Sequence, residues 1–238
     1  GKLGISTEKF DLKGVLDLNL DIQRSPSDNK LAFNGSIEKF NINDQDMGTL
    51  RFFTSGNTQL NSYELSVLLS NQEQNALIVN GSILGFDESP KLNLDLKFDD
   101  FDLSFLEPLG GEGIDNIRGR ISGNVNLWGP INAPKHMGTL ILNGGGLRII
   151  NVNTDYSIAD ATEVTLEEQI FKFNNTAFSD TQFGTQGAIK GEINHLNFRD
   201  WGFDLFIDSD RILMLNIPER EEEIFFGDGF FGGNVHLY

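Results

Sequence analysis

The feature that most constrains this chain is an alternation of apolar and polar residues with a period of two. Between residues 92 and 98 (LNLDLKF), every second position is leucine or phenylalanine. Residues 16–22 (LDLNLDI) follow the same pattern, as do residues 201–207 (WGFDLFI), where Phe206 is the one apolar exception. Because successive side chains of a strand point to opposite faces, each stretch predicts a β-strand with one apolar and one polar face.

Turn-forming residues separate these stretches, at residues 25–29 (SPSDN), 55–57 (SGN), 87–90 (DESP) and 132–134 (NAP). Helical spacing is confined to residues 101–109 (FDLSFLEPL), where Phe101, Phe105 and Leu109 predict a short helical turn. The interpretation is an all-β fold of antiparallel strands, roughly fifteen to twenty if each strand and turn takes about 8–12 residues.

An internal repeat of about 110 residues organises the chain. Residues 14–18 (GVLDL) match residues 123–127 (GNVNL), and the alternating stretch from Leu92 matches that from Trp201, both 109 residues apart. A third copy begins with residues 233–238 (GNVHLY). The pattern predicts a first β repeat at residues 1–109, a second at 110–232 and the start of a third, truncated repeat at 233–238.

A sheet built from such repeats has a predictable shape. Sheets of much more than about ten strands tend to curl or close. We therefore expect an elongated, curled antiparallel sheet, about 70–95 Å long at ~4.8 Å per strand, apolar inside and acidic outside. The same alternation also fits the buried face of a closed barrel or a sandwich core, and the residues alone leave that alternative open.

Charge and composition exclude several classes of function. The chain has 35 acidic and 18 basic residues, a net charge of −17, and no basic stripe. This excludes nucleic-acid binding and argues against docking onto anionic lipid head groups. The absence of cysteine removes disulfide scaffolds and thiol catalysis. No apolar run approaches the ~18 residues of a membrane helix.

No pattern typical of catalysis, cofactor binding or a metal centre emerges. His136, His195 and His236 are far apart in sequence, which predicts surface histidines. Acidic pairs such as Asp44/Asp46 lack a complete calcium loop, and Gly144–Gly146 lacks the lysine of a phosphate loop and predicts a bulge or turn aligned with Asn34–Gly35. We expect no enzyme, no cofactor and no metal, although two carboxylates across a cleft, as in a glycoside hydrolase, leave no sequence signature.

Residues 101–150 carry a resemblance to a known family. The stretch resembles the TamB family of the AsmA-like group, in which a short "dLsll.pl" segment precedes a glycine-punctuated β pattern. The matching positions are Leu103, Phe105, Leu106, Pro108, Leu109, Ile117, Gly119, Ile121, Gly123, Val125, Leu127, Gly129, Pro134, Gly138, Leu140, Leu142 and Leu147. The resemblance extends less specifically over residues 90–238, and residues 1–89 join it through the internal repeat.

The resemblance implies a fold and a function. It implies a β-taco segment of a bridge-like protein in the periplasm of a Gram-negative bacterium, whose parent chain is anchored in the inner membrane. It further implies that the apolar groove shields glycerophospholipid acyl chains during transport toward the outer membrane. A TamA-type outer-membrane barrel is the implied partner, through parts of the parent chain outside this segment.

The expected groove lining follows from the alternating stretches. These residues are Leu16, Leu18, Leu31, Phe33, Leu92, Leu94, Leu96, Phe98, Val125, Leu127, Leu140, Leu142, Trp201, Phe203, Leu205 and Ile207. Two other functions stay open: a β-scaffold or chaperone that binds unfolded outer-membrane strands, and a carbohydrate-active β-solenoid enzyme. Bound acyl chains, a peptide strand at a sheet edge, or carboxylates clustered in a cleft would distinguish the three.

Overall fold

The computed structural model describes residues 11–25, 28–57, 61–71, 74–85, 89–218 and 226–238. The predicted turns at 25–29 and 87–90 lie partly outside these ranges. The described chain forms fourteen strands in one antiparallel sheet, which confirms the all-β expectation. The strands are β1 Leu12–Ser25, β2 Asp28–Ile42, β3 Gln45–Asn57, β4 Ser62–Asn71, β5 Gln74–Leu84, β6 Lys91–Asp102, β7 Ile114–Pro130, β8 Lys135–Ile149, β9 Thr154–Ile158, β10 Thr162–Glu168, β11 Ile170–Asp180, β12 Gln186–Leu196, β13 Arg199–Ile217 and β14 Gly227–Leu237.

The strands follow one another almost in chain order. Each pairs with its neighbours in sequence, except that β9 and β10 do not pair with each other and instead each pairs with both β8 and β11. In the described part of the chain, β1 pairs only with β2 and β14 only with β13, so the sheet is not closed on itself. With about 4.8 Å between neighbours, the thirteen strands on the main path extend for about 58 Å.

The sheet curls, because residues from strands that are not neighbours pack together on one face. Met47 of β3, Leu69 of β4 and Phe101 of β6 form one buried cluster, against which Leu103 and Phe105 pack. A second cluster joins Val125, Leu140 and Leu166 of β7, β8 and β10. No described helix is long and apolar enough to span a membrane.

Glycines allow the strands to approach closely on the curled face. Gly81 and Gly191, at equivalent positions of the predicted repeats, have φ values of 149° and 129°. A Cβ at Gly81 would lie 2.1 Å from the carbonyl oxygen of Asn93, and one at Gly191 would lie 2.0 Å from that of Asp204. A side chain at either position would therefore push the neighbouring strand away, and such glycines commonly mark tight bends in sheets.

The predicted helical turn is displaced. Phe101 belongs to β6, and the 3₁₀ helix runs over Ser104–Gly110. The pairing of β6 with β7 shifts between Phe98 and Phe101, and Asp100 in this bulge has a φ of 54°. The extra residue returns Phe101 to the face of Phe98. Of the three residues that predicted the turn, Phe105 and Leu109 lie in the 3₁₀ helix, whereas Phe101 lies in the strand.

The predictions for the glycine segments had mixed outcomes. Gly144–Gly146 lies in β8 at a shift in its pairing with β7, which confirms the predicted bulge. The prediction of a turn at Asn34–Gly35 was wrong, because both residues lie in the middle of β2. A Cβ at Gly35 would lie 2.7 Å from the ring of Phe52, so close packing rather than a turn accounts for this glycine.

Strand positions recur with the period of the predicted repeat. Moved by 109 residues, β4 covers residues 171–180, and β11 is Ile170–Asp180. Moved in the same way, β3 covers residues 154–166, the span of β9 and the first part of β10. The boundaries of the repeats at 109 and 232 stay a prediction, since the fourteen strands form a single sheet.

One hydrogen bond also occurs in both repeats. Asn43 Nδ2 donates to the carbonyl oxygen of Phe105 at 3.1 Å, and Asn153 Nδ2 donates to that of Asn216 at 3.0 Å. Both asparagines are left-handed, with φ values of 54° and 49°. Each bond connects a turn to a segment several strands away in the sheet. It therefore stabilises the curled arrangement of these strands.

Replacing these asparagines tests that role. We expect Asn43→Gly and Asn153→Gly each to lower the free energy of unfolding by about 1 kcal/mol, since each loses one hydrogen bond but keeps a residue suited to positive φ. The alanine variants are expected to lose about 1 kcal/mol more, the cost of the left-handed conformation. Urea unfolding measures both, with Asn19→Ala on the exposed part of β1 as the control. Equal stabilities for all five variants would contradict the assigned role.

Candidate functional site

The candidate site is the apolar face of the sheet, which we define by ladders of directly paired residues. Since paired residues of neighbouring strands share a face, a ladder can be followed from strand to strand. The first ladder crosses thirteen strands and contains only apolar residues and glycine. It consists of Leu16, Ile37, Leu50, Leu69, Leu77, Phe98, Gly123, Leu140, Val164, Phe173, Gly191, Leu205 and Leu237.

A second ladder runs beside the first, two residues away along each strand, and crosses twelve strands. It also contains only apolar residues and glycine. Its members are Leu18, Gly35, Phe52, Val67, Val79, Leu96, Val125, Gly138, Leu166, Phe171, Ile193 and Phe203. Two such ladders form a continuous apolar band at right angles to the strands.

Two shorter ladders widen the band in the first half of the sheet. One is Leu20, Phe33, Thr54, Leu65, Gly81, Leu94, Leu127 and His136, and the other is Ile22, Leu31, Gly56, Tyr63, Ile83, Leu92 and Gly129. Thr54 and His136 are the polar exceptions, and both are buried.

All sixteen residues predicted to line a groove lie on this face. Thirteen are members of the four ladders. Leu142 pairs with Ile121, which pairs with Phe101, and Ile207 pairs with Ile189. Trp201 precedes Phe203 by two residues, and its ring lies 6.1 Å from that of Phe171. The alternation therefore assigned the faces correctly, whereas the lipid-binding role of these residues stays a prediction.

Exposure varies along the apolar face. On β1, the side chains from Leu12 to Ile22 that face this way are all exposed, with Leu16 at 59%. In the middle the face is packed, as Leu94 and Leu140 are each 8% exposed. On β13, Trp201 and Phe203 are again exposed, Phe203 at 52%. The open trough and the closed core predicted as alternatives thus occur in different parts of one sheet.

The opposite face is mainly polar and carries the charged groups. Asp95 and Asn126 pair there, as do Lys97 and Asn124. Its apolar residues lie singly, as Phe53 and Phe206 do, or in short pairs such as Leu68 and Ile78, and form no long ladder. Trp128 also lies here, opposite Asn93. Shallow depressions between β1 and β4 are lined mainly by polar residues, among them Asp17, Asp21 and Arg51.

Ion pairs connect strands β7, β8 and β9 in the second repeat. Arg118 donates to Asp155 at 2.8 Å, and the same guanidinium donates to the carbonyl oxygen of Tyr156 at 3.1 Å. Arg148 pairs with Asp115, and this hydrogen bond lowers the pKa of the Asp115 carboxyl. These groups lie at the edge and on the polar face, where solvent screening leaves ion pairs of this kind with little effect on stability.

The prediction of three surface histidines was wrong for two of them. His136 on β8 is 1% exposed and His195 on β12 is 4% exposed, and their Nε2 atoms are 2.8 Å apart. Curling of the sheet brings them together across β10 and β11, which sequence spacing does not reveal. Burial, with a smaller effect from His195, lowers the pKa of His136 to about 4, and burial also lowers the pKa of His195. His236 lies on the polar face beside Asp204, as predicted.

The described residues contain no group of three or more histidine, cysteine, aspartate or glutamate side chains arranged to hold a metal ion. The predictions that the chain is not an enzyme and binds no metal remain predictions. No family model, no curated protein and no solved structure matches the chain. The function is therefore argued from the site itself.

Proposed function

We propose that this chain is a segment of a bridge-like intermembrane protein whose apolar β-face covers phospholipid acyl chains during transport toward the bacterial outer membrane. The observation that carries the proposal is the pair of unbroken apolar ladders, which cross thirteen and twelve strands. A folded core needs apolar residues, but it does not need them aligned along the whole axis of an open sheet. A path for acyl chains does.

The energetics of lipid transfer make such a path useful. Exposing an acyl methylene to water costs ~0.8 kcal/mol, so two chains of about 16 carbons cost roughly 25 kcal/mol. When an acyl chain moves along the apolar band by one strand, it exchanges contacts with the apolar residues of one strand for contacts with those of the next. Successive positions are therefore nearly equal in free energy, and movement between them needs no exposure to water.

The exposure of the face suggests where acyl chains bind first. The residues of β1 and the Trp201–Phe203 end of β13 offer apolar surface that the described part of the chain leaves uncovered. Exposed apolar surface of this continuity is typical of binding sites rather than of ordinary protein surface. In the packed middle, an acyl chain has to displace contacts such as those of Leu94 and Leu140, so passage requires the curl to open there.

The resemblance to the TamB family places the proposed segment in a cellular context. In this proposal the parent chain is anchored in the inner membrane, the segment lies in the periplasm, and a TamA-type barrel is contacted by other parts of the chain. The net charge of −17 and the polar face keep the outside of the groove hydrated.

Photo-crosslinking tests the proposal with two residues of one type on one strand. Benzoylphenylalanine replaces Phe203 on the apolar face or Phe206 on the polar face, which are 52% and 42% exposed. After incubation with phosphatidylethanolamine vesicles, we expect lipid crosslinks at position 203 and few at position 206. Equal labelling at both positions would refute an acyl-binding face. Lipid-free chain that instead crosslinks an added unfolded outer-membrane polypeptide at position 203 would favour a chaperone.

A further inference from the structure

The buried histidine pair has a defined hydrogen-bonding arrangement. The backbone N–H of Phe198 donates to His195 Nδ1 at 3.0 Å, so this nitrogen carries no hydrogen. Neutral His195 then carries its hydrogen on Nε2 and donates it to His136 Nε2 at 2.8 Å. His136 therefore carries its own hydrogen on Nδ1, and this atom is buried without a hydrogen-bond partner among the described residues.

This arrangement leaves no place for an additional proton. A proton on His136 Nε2 would face the N–H of His195 across 2.8 Å, and a proton on His195 Nδ1 would face the N–H of Phe198 across 3.0 Å. Each case sets two donors against each other. Switching the His195 tautomer relieves the first conflict only by giving up the bond from Phe198.

The pair also supports a strained turn. Asn197 and Phe198 form the two-residue turn between β12 and β13, and both have a φ of 57°. Positive φ is unfavourable for a residue as bulky as phenylalanine. The ring of Phe198 stacks on His195 with centroids 4.3 Å apart, and Asn197 N donates to Gln169 Oε1 at 2.8 Å. Contacts with His195 thus compensate the strain at Phe198.

The charged groups near the pair do not stabilise an additional proton on either ring. The charged residues nearest the pair along these strands are Lys135 on β8, Glu168 on β10, Lys172 on β11 and Asp200 on β13. The residue opposite His136 on β7 is Leu127, and the residues next to His195 in the sequence are Asn194 and Leu196. Glu168 lies opposite His136 in the sheet, but its carboxylate pairs with Lys135 at 3.0 Å. Lys172 pairs with Glu167 on the polar face. Phe171, Phe198 and Trp201 form the rest of the surroundings.

We propose that the His136–His195 pair is an acid-released latch, which holds the β12–β13 turn against β8 and β11 while both rings are neutral. One proton taken up by the pair breaks either the contact between the rings or the bond to Phe198. The turn is then free to relax, and with it Trp201 at the exposed end of the apolar face. The inference rests on the pair itself and holds whether or not the face binds lipid.

The sign of the pH dependence follows from the two states. The folded state disfavours the proton, whereas an unfolded histidine takes it up near pKa 6.5. The stability contributed by the neutral pair is therefore complete above about pH 6.5 and is lost as the pH falls toward about 4. Carboxylates elsewhere in the chain also make its stability fall at acid pH. A variant without the histidine pair therefore serves as the reference.

Thermal unfolding with a matched variant measures the latch. We expect the midpoint of the unmodified chain to fall between about pH 7 and pH 4.5 by at least about 5 °C more than that of the His136→Phe/His195→Phe double variant. The phenylalanines keep the aromatic packing but cannot titrate. An equal fall in both proteins would overturn the proposal.

NMR of the unmodified chain provides a second measurement that does not depend on how the variant folds. We expect the imidazole nitrogens of the pair to keep their neutral pattern well below pH 6.5, the pKa of an unfolded histidine, and the Phe198 amide to shift together with their protonation. A Phe198 amide that does not respond when the pair titrates would overturn the latch. So would titration of both rings near pKa 6.5. The lipid crosslinks at position 203 are a separate readout, so either proposal can fail alone.

Discussion

Leu94→Asp is expected to unfold most of the chain at neutral pH, whereas Asn93→Asp leaves it folded. Leu94 is 8% exposed in the packed middle of the apolar face, between Gly81 and Leu127. The substitution removes an aliphatic side chain and places a carboxylate where the ladders offer it no partner. We expect a loss of about 5 kcal/mol in the free energy of unfolding, comparable to the whole stability of many domains.

Urea unfolding followed by circular dichroism measures this loss. Asn93→Asp is the matched control, since the neighbouring side chain is exposed on the polar face and the new charge is the same. A Leu94→Asp protein as stable as this control would mean that the middle of the face is open rather than packed. In that case loss of lipid binding, not unfolding, becomes the expected effect of the substitution.

Phe203→Asp is expected to leave the fold nearly intact and to reduce lipid uptake by roughly tenfold or more. Phe203 is 52% exposed, so its replacement by aspartate removes little buried contact. It does place a charge in the second ladder, where it pairs with Ile193. An acyl chain crossing this row would then have to desolvate a carboxylate, and a penalty of more than about 1.4 kcal/mol corresponds to at least a tenfold loss of affinity.

The control for this prediction is Phe206→Asp. It makes the same substitution three residues away, at a residue that is 42% exposed on the polar face, where Phe206 stacks on His236. Uptake is measured with a fluorescent phosphatidylethanolamine, and circular dichroism verifies that both variants are folded. If both variants take up lipid like the unmodified chain, the apolar face is not the binding surface.

Period-two alternation was sufficient to predict the faces of the sheet. It depends only on the local geometry of a strand, so all sixteen predicted lining residues lie together once the strands pair. Alternation does not reveal how tightly the sheet curls. It therefore left open whether Leu94 and Phe203 have the same surroundings, although the first is buried and the second exposed.

Other features depend on contacts that a local pattern does not encode. Bulges add one residue to a strand, so Phe98 and Phe101 share a face although they are three residues apart. His136 and His195 are 59 residues apart and meet only because four strands curl around them. Both lie near strand ends, but without the pairing register the sequence does not connect them.

The repeat was visible in sequence chiefly through its apolar positions and glycines. Equivalent apolar residues lie on the same face in both copies but in different ladders, since Leu96 belongs to the second ladder and Leu205 to the first. The equivalence of Asn43 and Asn153 became apparent only from their hydrogen bonds, since asparagine is common in turns of every kind.

The central claim is that the apolar face holds acyl chains, and native mass spectrometry of the purified chain tests it most directly. Lipid extracted from the same preparation is identified in parallel, and lipid-free chain is also incubated with phosphatidylethanolamine vesicles. We expect phospholipid adducts on the unmodified chain and on Phe206→Asp, and a loss of adducts on folded Phe203→Asp. Unmodified chain that carries no lipid and takes up none from vesicles would contradict the account and favour a scaffold or chaperone.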